Sequence, residues 1–497
     1  MSPSVEPFDE AKYKALIDGL ECCEITYKEL FIDNEKYRID SEFFAKKYLK
    51  AYKKIKSISN DQILNLYETF TDFHANGSYE TIARYFELLD EPDYAYMVRT
   101  TDLEKQNYTD SVKYVTKEAY DFLSKSKIFG GELLINKIGS PGRTYLMPTL
   151  NKPVSLGMNL FLLRFKDSDN ICEELVYLFF NTNIGKRIIE RKINGTVPLT
   201  IDKEAIKSLY VPLFSNNFIL ALKSLIKKKE ELLEESQSLY CLAVDEFNEL
   251  IGIKEWKNQP PIYSTKSFFD SYKISGRLDA EYYHPKYDAL FDFLSKHTTA
   301  PLGGSQGLVS IKKSIEPGSE AYLEEGIPFI RVCDVDKYEI STPPIMLSKD
   351  VVPNIEELYP KKDTILLSKD GSIGIAYKLE KDMKAVTSGA LLHLTVKDSN
   401  VVLPDYLTLV LTSPIIQLQA ERDCNGAVIQ HWKPSDIEKV LIPILDTSVQ
   451  QEIASKVQES FRLRAESKRL LDLAVRTVEM AIESDEESAL LWLESQK

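Results

Sequence analysis

Leu366-Leu367-Ser368-Lys369-Asp370-Gly371-Ser372-Ile373-Gly374 reads as a short apolar strand running into a glycine-punctuated turn. A related string, Leu134-Ile135-Asn136-Lys137-Ile138-Gly139-Ser140-Pro141-Gly142, lies 232 residues earlier. The same offset pairs Arg99 with Arg331, Asp102 with Asp334, and Ser155-Leu156-Gly157 with Thr387-Ser388-Gly389. Downstream, Asn194-Gly195 matches Asn425-Gly426 and Val211-Pro212 matches Ile442-Pro443, both 231 apart. Upstream, Arg38-Ile39-Asp40-Ser41-Glu42-Phe43-Phe44 matches Arg277-Leu278-Asp279-Ala280-Glu281-Tyr282-Tyr283 at 239. The blocks keep their order while the offset drifts by a few residues. The chain therefore carries two copies of one module of about 230 residues, a tandem duplication and not a solenoid of short repeats.

Each copy ends in a helical stretch. Leu222, Leu225, Leu232, Leu239, Ala243 and Leu250 fall on an approximate heptad stripe, interrupted at Lys229 and Ser236. Val449, Ile453, Val457, Leu470, Leu471, Ala474 and Val478 form the second stripe. Two helices of similar length at equivalent positions are expected to pair antiparallel and to act as a spacer. The competing expectation is that each packs only on its own module. Glu132–Ile135, Asp363–Leu367 and Gly389–Val396 read as strands, Glu173–Phe180 and Pro404–Leu411 as helices. The fold class is α+β: two tandem, pseudo-symmetric α/β modules separated by two long antiparallel coiled-coil helices.

Composition sets limits. The 497 residues include 43% hydrophobic ones, ample for buried cores, and 62 Lys and Arg against 76 Asp and Glu give a net charge of −14. That excludes a general polyanion binder with a wholly basic surface but not a local basic cleft, which is expected here. The six cysteines show no CxxC spacing, so neither a structural zinc site nor a disulfide framework is indicated. A reducing, cytoplasmic location fits, and no apolar run is long enough to span a bilayer. The opening residues are acidic and polar, unlike a signal peptide.

Catalytic signatures do not emerge. GxGxxG, Walker-type and GxSxG strings are missing. Gln259-Pro260-Pro261-Ile262 and Thr342-Pro343-Pro344-Ile345 fail at both ends of an aminomethyltransferase loop, and Pro404-Asp405 has no nuclease-type Glu-x-Lys partner outside the C-terminal helix. The five histidines are scattered, none at metal-ligand spacing. No catalytic residue, metal or cofactor is assigned to the chain.

Arg277-Leu278-Asp279-Ala280-Glu281-Tyr282-Tyr283, Leu367-Ser368-Lys369-Asp370-Gly371-Ser372-Ile373-Gly374, Asn425-Gly426-Ala427-Val428-Ile429-Gln430 and Ile437-Glu438-Lys439-Val440-Leu441-Ile442-Pro443 together resemble the specificity subunit of Type I restriction–modification enzymes. The resemblance runs from about residue 30 to 482 and is closer in the second half. The first half departs from it: Asn136-Lys137-Ile138-Gly139 replaces Ser-Lys-Asp-Gly, and Asn194-Gly195-Thr196-Val197-Pro198 lacks the Gln seen at Gln430. The resemblance implies an N-terminal segment over 1–30, target-recognition domains over 31–215 and 263–445, spacer helices over 216–255 and 446–483, a linker over 256–262, and a mobile acidic tail over 484–497. It implies a non-catalytic subunit that reads a bipartite target in double-stranded DNA. Two copies of a modification subunit, carrying S-adenosylmethionine, would dock on the helices at Leu225, Leu232, Leu239, Ile453, Val457 and Leu470. A motor–nuclease subunit would join where the complex also cleaves. The alternative is a scaffold or regulatory subunit of a related defence system that has lost sequence reading.

Under this resemblance the loop around Lys369 and Ser372 offers a cation, a hydroxyl and backbone N–H groups to a phosphate; the plainer reading is a tight hairpin turn. Gln430 can bond adenine N6 and N7, with His431 beside it and Lys433 placed for a phosphate. Trp432 serves equally well as core. Lys137, Arg143, Lys192 and Thr196 are the corresponding candidates of the first module. Arg99 with Asp102, and Arg331 with Asp334, are either base readers or structural ion pairs. Arg38 with Asp40, and Arg277 with Asp279, are expected to fix the opening turn of each module.

Overall fold

The computed structural model describes residues 8–20, 23–59, 61–108, 112–253, 256, 263, 265–351, 353–426 and 430–496. Of the expected linker only Trp256 lies among them, and Ala427-Val428-Ile429 lies outside them. The chain forms two compact units, Met1–Glu231 with Glu466–Lys497, and Leu232–Ala465.

Unit 1 holds an antiparallel sheet of β1 (Tyr67–Asp72), β2 (Leu133–Asn136), β3 (Thr144–Leu146) and β4 (Leu160–Phe165), ordered β1-β4-β2-β3. Unit 2 repeats it with β5 (Val309–Lys313), β6 (Ile365–Ser368), β7 (Ala376–Lys378) and β8 (Leu391–Val396), ordered β5-β8-β6-β7. Each unit has a second four-stranded sheet built on one parallel pair. Ala95–Val98 runs beside Val154–Leu156 in unit 1, and Ile327–Ile330 beside Val386–Thr387 in unit 2. Every residue of β2 and β6 is buried, which is why both read as continuous apolar runs and not as alternating strands. Against the expected strands, β2 and β6 begin one and two residues later. Glu132 instead turns its carboxylate onto Phe129 N and Gly130 N, at 2.7 and 2.8 Å.

Helix Pro404–Leu411 starts on a proline, whose missing N–H has no intrahelical partner at that position, and is buried from Asp405 onward. In the core of unit 2, Tyr406 packs against Phe247 while its hydroxyl donates to Pro443 O at 2.9 Å. Burying such a ring contributes roughly 2 to 3 kcal/mol, provided the hydroxyl keeps a partner.

Two long helices, α1 (Asn216–Leu250) and α2 (Thr447–Glu483), are each divided between the units. In unit 1, Ser467 Oγ donates to Lys229 O at 2.8 Å, and Ser215 N, just before α1, donates to Glu486, just after α2, at 3.1 Å. In unit 2, Ser460 Oγ donates to Ser236 O at 2.7 Å and Lys456 Nζ to Glu246 at 2.6 Å. Partners rise along one helix as they fall along the other, so the pair is antiparallel in each unit. Lys229 and Ser236, where the first stripe is interrupted, are the positions at which α2 comes close enough for a serine hydroxyl to reach the α1 backbone. In α2 the buried Ile453, Ser460, Ser467, Ala474 and Ala481 repeat every seven residues.

Three expectations are corrected. Leu225, Leu232, Ile453, Val457 and Leu470 are buried within their own units and Leu239 partly so. These apolar positions close the helix pair and the cores, and do not present a docking face. Helix α1 ends at Leu250, short of residue 255, because Gly252 takes φ +72° and its N–H turns back to Glu249 O at 3.0 Å. The residues after 483 form a helix, Glu486–Ser495, capped by Asp485 and seated through buried Ala489 and Leu493. One turn separates these two side chains, so even an acidic segment gains an apolar contact.

Candidate nucleic-acid interface

The glycine loop of unit 2 joins β6 to β7. Ser368, fully buried, holds it from inside: its Oγ donates to Ser372 O at 2.6 Å and accepts from Ile375 N at 2.9 Å. Gly371 and Gly374 adopt φ of +74° and +77°. A side chain at Gly371 would meet no atom and is barred by backbone conformation alone; one at Gly374 would also run into Gln417. A second segment lies along the loop, with Gly371 N donating to Gln430 O at 3.0 Å and Trp432 N to Lys369 O at 2.7 Å. His431 pairs in turn with Asn425 through both backbone bonds, at 2.7 and 3.1 Å. The outcome is a polar edge: Ser372, Gln430, His431 and Lys433 are exposed, while Trp432 is core.

Asp370 organises this edge. Its carboxylate accepts from His431 Nδ1 at 2.8 Å and pairs with Lys369 Nζ. Burial pushes the Asp370 carboxyl up, but the hydrogen bonds from Lys369 and His431 outweigh it and hold its pKa below the ordinary value. A carboxylate only accepts, so Nδ1 carries the proton and Nε2 remains as the polar atom of a ring 60% exposed. Lys369 is only 11% exposed and already neutralised. It supports the loop and does not stand free as a phosphate-binding cation. No ion pair involves Lys433 among the described residues.

Unit 1 reproduces the backbone bonds of this frame. Asn136 replaces Ser368 and donates from Nδ2 to Ser140 O at 3.1 Å. Gly139 N donates to Leu199 O at 3.1 Å, Ile201 N to Lys137 O at 3.0 Å, and Asn194 and Thr200 exchange both backbone bonds. Ile138 thus stands where Asp370 stands, Leu199 where Gln430 does, Thr200 where His431 does and Asp202 where Lys433 does. Thr196, exposed, corresponds to a position of unit 2 outside the described residues. Lys137 is turned into an ion pair with Asp72 at 2.9 Å, and exposed Arg143 pairs with Glu104 at 2.6 Å. Lys192 is buried with its ammonium on Glu35 and Asp33 O, a structural role and no surface cation. Lys137, Lys369 and Arg143 are all paired, so these side chains do not form the expected basic cleft.

The Arg–Asp motifs form ion pairs in both units. Arg99 makes a two-pronged pair with Asp102, at 3.1 and 2.7 Å, and Asp102 caps the backbone at Arg99 N. Arg331 and Asp334 repeat the cap, with a longer side-chain contact of 3.4 Å. Arg38 grips Asp40 through two 2.8 Å bonds and donates to Ile193 O at 2.9 Å, fastening the opening turn to the segment that carries Asn194-Gly195. That hydrogen-bonded pair holds the Asp40 pKa at about 2. Arg277, paired with Asp279, likewise reaches Asp423 O at 3.4 Å. Sequence reading missed Asp370 as the group that orients His431. It showed Ile138 in place of the loop aspartate but missed Leu199, although carrying the 231-residue offset on from Gln430 lands there.

Among the described residues no helix is long and apolar enough to cross a membrane, and no cluster of His, Cys, Asp and Glu could hold a metal. Residues 307–471 match the family model described as the Type I restriction modification DNA specificity domain. A stretch of 148 residues is 22% identical to the Type I restriction enzyme EcoBI specificity subunit of Escherichia coli, covering 30% of this chain and 31% of that protein. The match thus spans under a third of the curated relative's length. Among solved structures, the S subunit of a Type I restriction–modification system from M. genitalium is 15% identical, over 85% of this chain and 94% of its own, with a TM-score of 0.37. The HsdS subunit from Thermoanaerobacter tengcongensis is 14% identical, over 86% and 96%, with a TM-score of 0.26. The chain resembles the specificity subunits of Type I restriction–modification systems, and the match to their DNA specificity domain lies in residues 307–471, which hold both Asp370 and His431.

Proposed function

We propose that the chain is the non-catalytic subunit that gives a Type I restriction–modification complex its DNA sequence specificity. Each unit would read one half of a bipartite site in double-stranded DNA, and the helix pair would carry the modification subunits with their S-adenosylmethionine. The observation that carries this reading is the edge of Gln430, His431 and Lys433, hydrogen-bonded onto the glycine loop through Asp370 inside the matched domain. An exposed amide and an imidazole oriented by Asp370 suit base edges, whereas the loop's N–H groups suit phosphate. The buried heptad leucines leave the outer faces of α1 and α2 for partners, including the exposed Lys227, Lys228, Glu234, Lys468 and Arg469. Any motor–nuclease subunit would join this assembly.

Genome-wide adenine-methylation mapping in the native host, with and without the gene, tests the proposal. Loss of one methylated motif made of two short half-sites and a fixed gap is expected. An unchanged pattern with an active modification subunit overturns it and favours a scaffold that no longer reads sequence.

A further inference from the structure

The two reading edges share a backbone frame and differ in chemistry. Unit 2 presents Asp370, Gln430 and His431, and unit 1 presents Ile138, Leu199 and Thr200 at the same places. Ile138 is 40% exposed, Leu199 41%, and Val197, on the same turn, 91%. Three aliphatic side chains on one glycine turn, two of them partly exposed and Val197 almost wholly so, present an apolar surface where the other unit presents a polar one. The cations of this turn are committed, Lys137 to Asp72, while Asp202 pairs with Lys36 and caps the next helix through Ala205 N at 2.8 Å. The edge therefore carries no charge at Ile138, Leu199 and Thr200, where unit 2 has Asp370, Gln430 and His431, and the charge of Asp202 is met by Lys36.

We propose that unit 1 reads its half-site by apolar contact with thymine C5-methyl groups, through Ile138, Val197 and Leu199, while unit 2 reads by hydrogen bonds from Gln430 and His431. The inference rests on the reading of both edges as DNA-facing. In the major groove the thymine methyl is the one base-edge feature that an aliphatic side chain distinguishes, and it marks A·T against G·C. Equivalence to the polar edge of unit 2 favours DNA over a protein as what covers the apolar one. Thr200 adds a hydroxyl that fits either base pair, so the discrimination falls to the three aliphatic side chains.

The test uses duplexes enriched from a randomised pool by the complex of the full chain with its modification subunit. Thymine is then replaced by uracil, which removes the methyl and leaves every hydrogen-bonding group. In one half-site each contacted thymine is expected to lose about fourfold in affinity on replacement, the worth of one buried methyl. The double variant Ile138→Ser with Leu199→Ser reduces that sensitivity to what Val197 supplies, and Gln430→Ala with His431→Ala keeps it while relaxing the other half-site. If uracil is tolerated throughout but scrambling either half-site destroys binding, the thymine-methyl inference falls and the specificity function stands. If scrambling the half-site altered by the Ile138 and Leu199 variant leaves binding intact, the apolar edge serves a protein partner and unit 1 does not read DNA. If no sequence is enriched at all, both readings fall.

Discussion

Units 1 and 2 hold their glycine loops with the same backbone bonds, yet one loop ends in a carboxylate–imidazole pair and the other in isoleucine and leucine. The difference shows that the frame and the reading groups are separable. Backbone N–H groups and two left-handed glycines build the turn in both units, and the outward side chains differ in chemistry on the same backbone. The interior differs too: His393 of β8 stands where Leu162 stands in β4, bonded through Nε2 to Thr387 Oγ1 at 2.8 Å.

The comparison can be tested hardest at the helix pair. Replacing Ser460 by Leu in unit 2, or Ser467 by Leu in unit 1, removes a bond to the opposite backbone and forces bulk into a close approach. Each should cost about 3 kcal/mol or more, read as lost hydrogen-exchange protection in the unit that carries the change. Unequal losses would show that one unit depends less on the seam. Next in size is acid sensitivity. Burial pushes the His393 pKa down to about 4, with Lys312 adding to the shift. Between pH 6.5 and 4 the unfolded chain binds a proton that the folded unit refuses, so stability falls as pH falls through that window. The loss amounts to roughly 3 kcal/mol in unit 2 and is absent from unit 1. Denaturant melts at pH 7 and pH 4.5, with His393→Leu as the control, decide it; an unchanged pH dependence in that variant breaks the contrast.

Smaller effects sharpen the equivalence of the loops. Ser368→Ala leaves Ile375 N and Ser372 O without their buried partner and should cost about 1 to 3 kcal/mol. Asn136→Ala in unit 1 should cost less, since Asn136 Nδ2 supplies one of the two bonds that Ser368 Oγ makes. Urea midpoints of the single variants check the order. Smallest is the contrast between the caps: Arg99→Ala should exceed Arg331→Ala by about half a kcal/mol, because the first pair is two-pronged and the second rests on one 3.4 Å contact. Thermal melts resolve a difference of that size, and equal losses would mean that the backbone cap at Asp102 and Asp334 carries the whole effect.

Much of the frame was legible because it is local. Glycines at matching offsets mark the turns, apolar runs mark β2 and β6, and heptad stripes mark α1 and α2. The site was legible only in outline. Lys369 and Lys137 read as loop cations, and their neutralisation depends on Asp370 beside one and on Asp72, 65 residues away, for the other. Leu225 and Leu470 read as a docking surface because a heptad pattern does not say whether the covering partner is another chain or the same one. The acidic composition after residue 483 hid a helix whose apolar contacts are only two side chains.

The sequence by itself determined the duplication, the α+β class, the two long helices and the placement of the glycine loops, since each follows from periodicity, offset or backbone constraint within a short stretch. Tertiary structure alone decided which polar groups stay exposed. That outcome depends on partners brought together from distant segments, as when Asp370 meets His431 across 61 residues and fixes the ring, while Ile138 and Thr200 meet in the same frame with no charge to share.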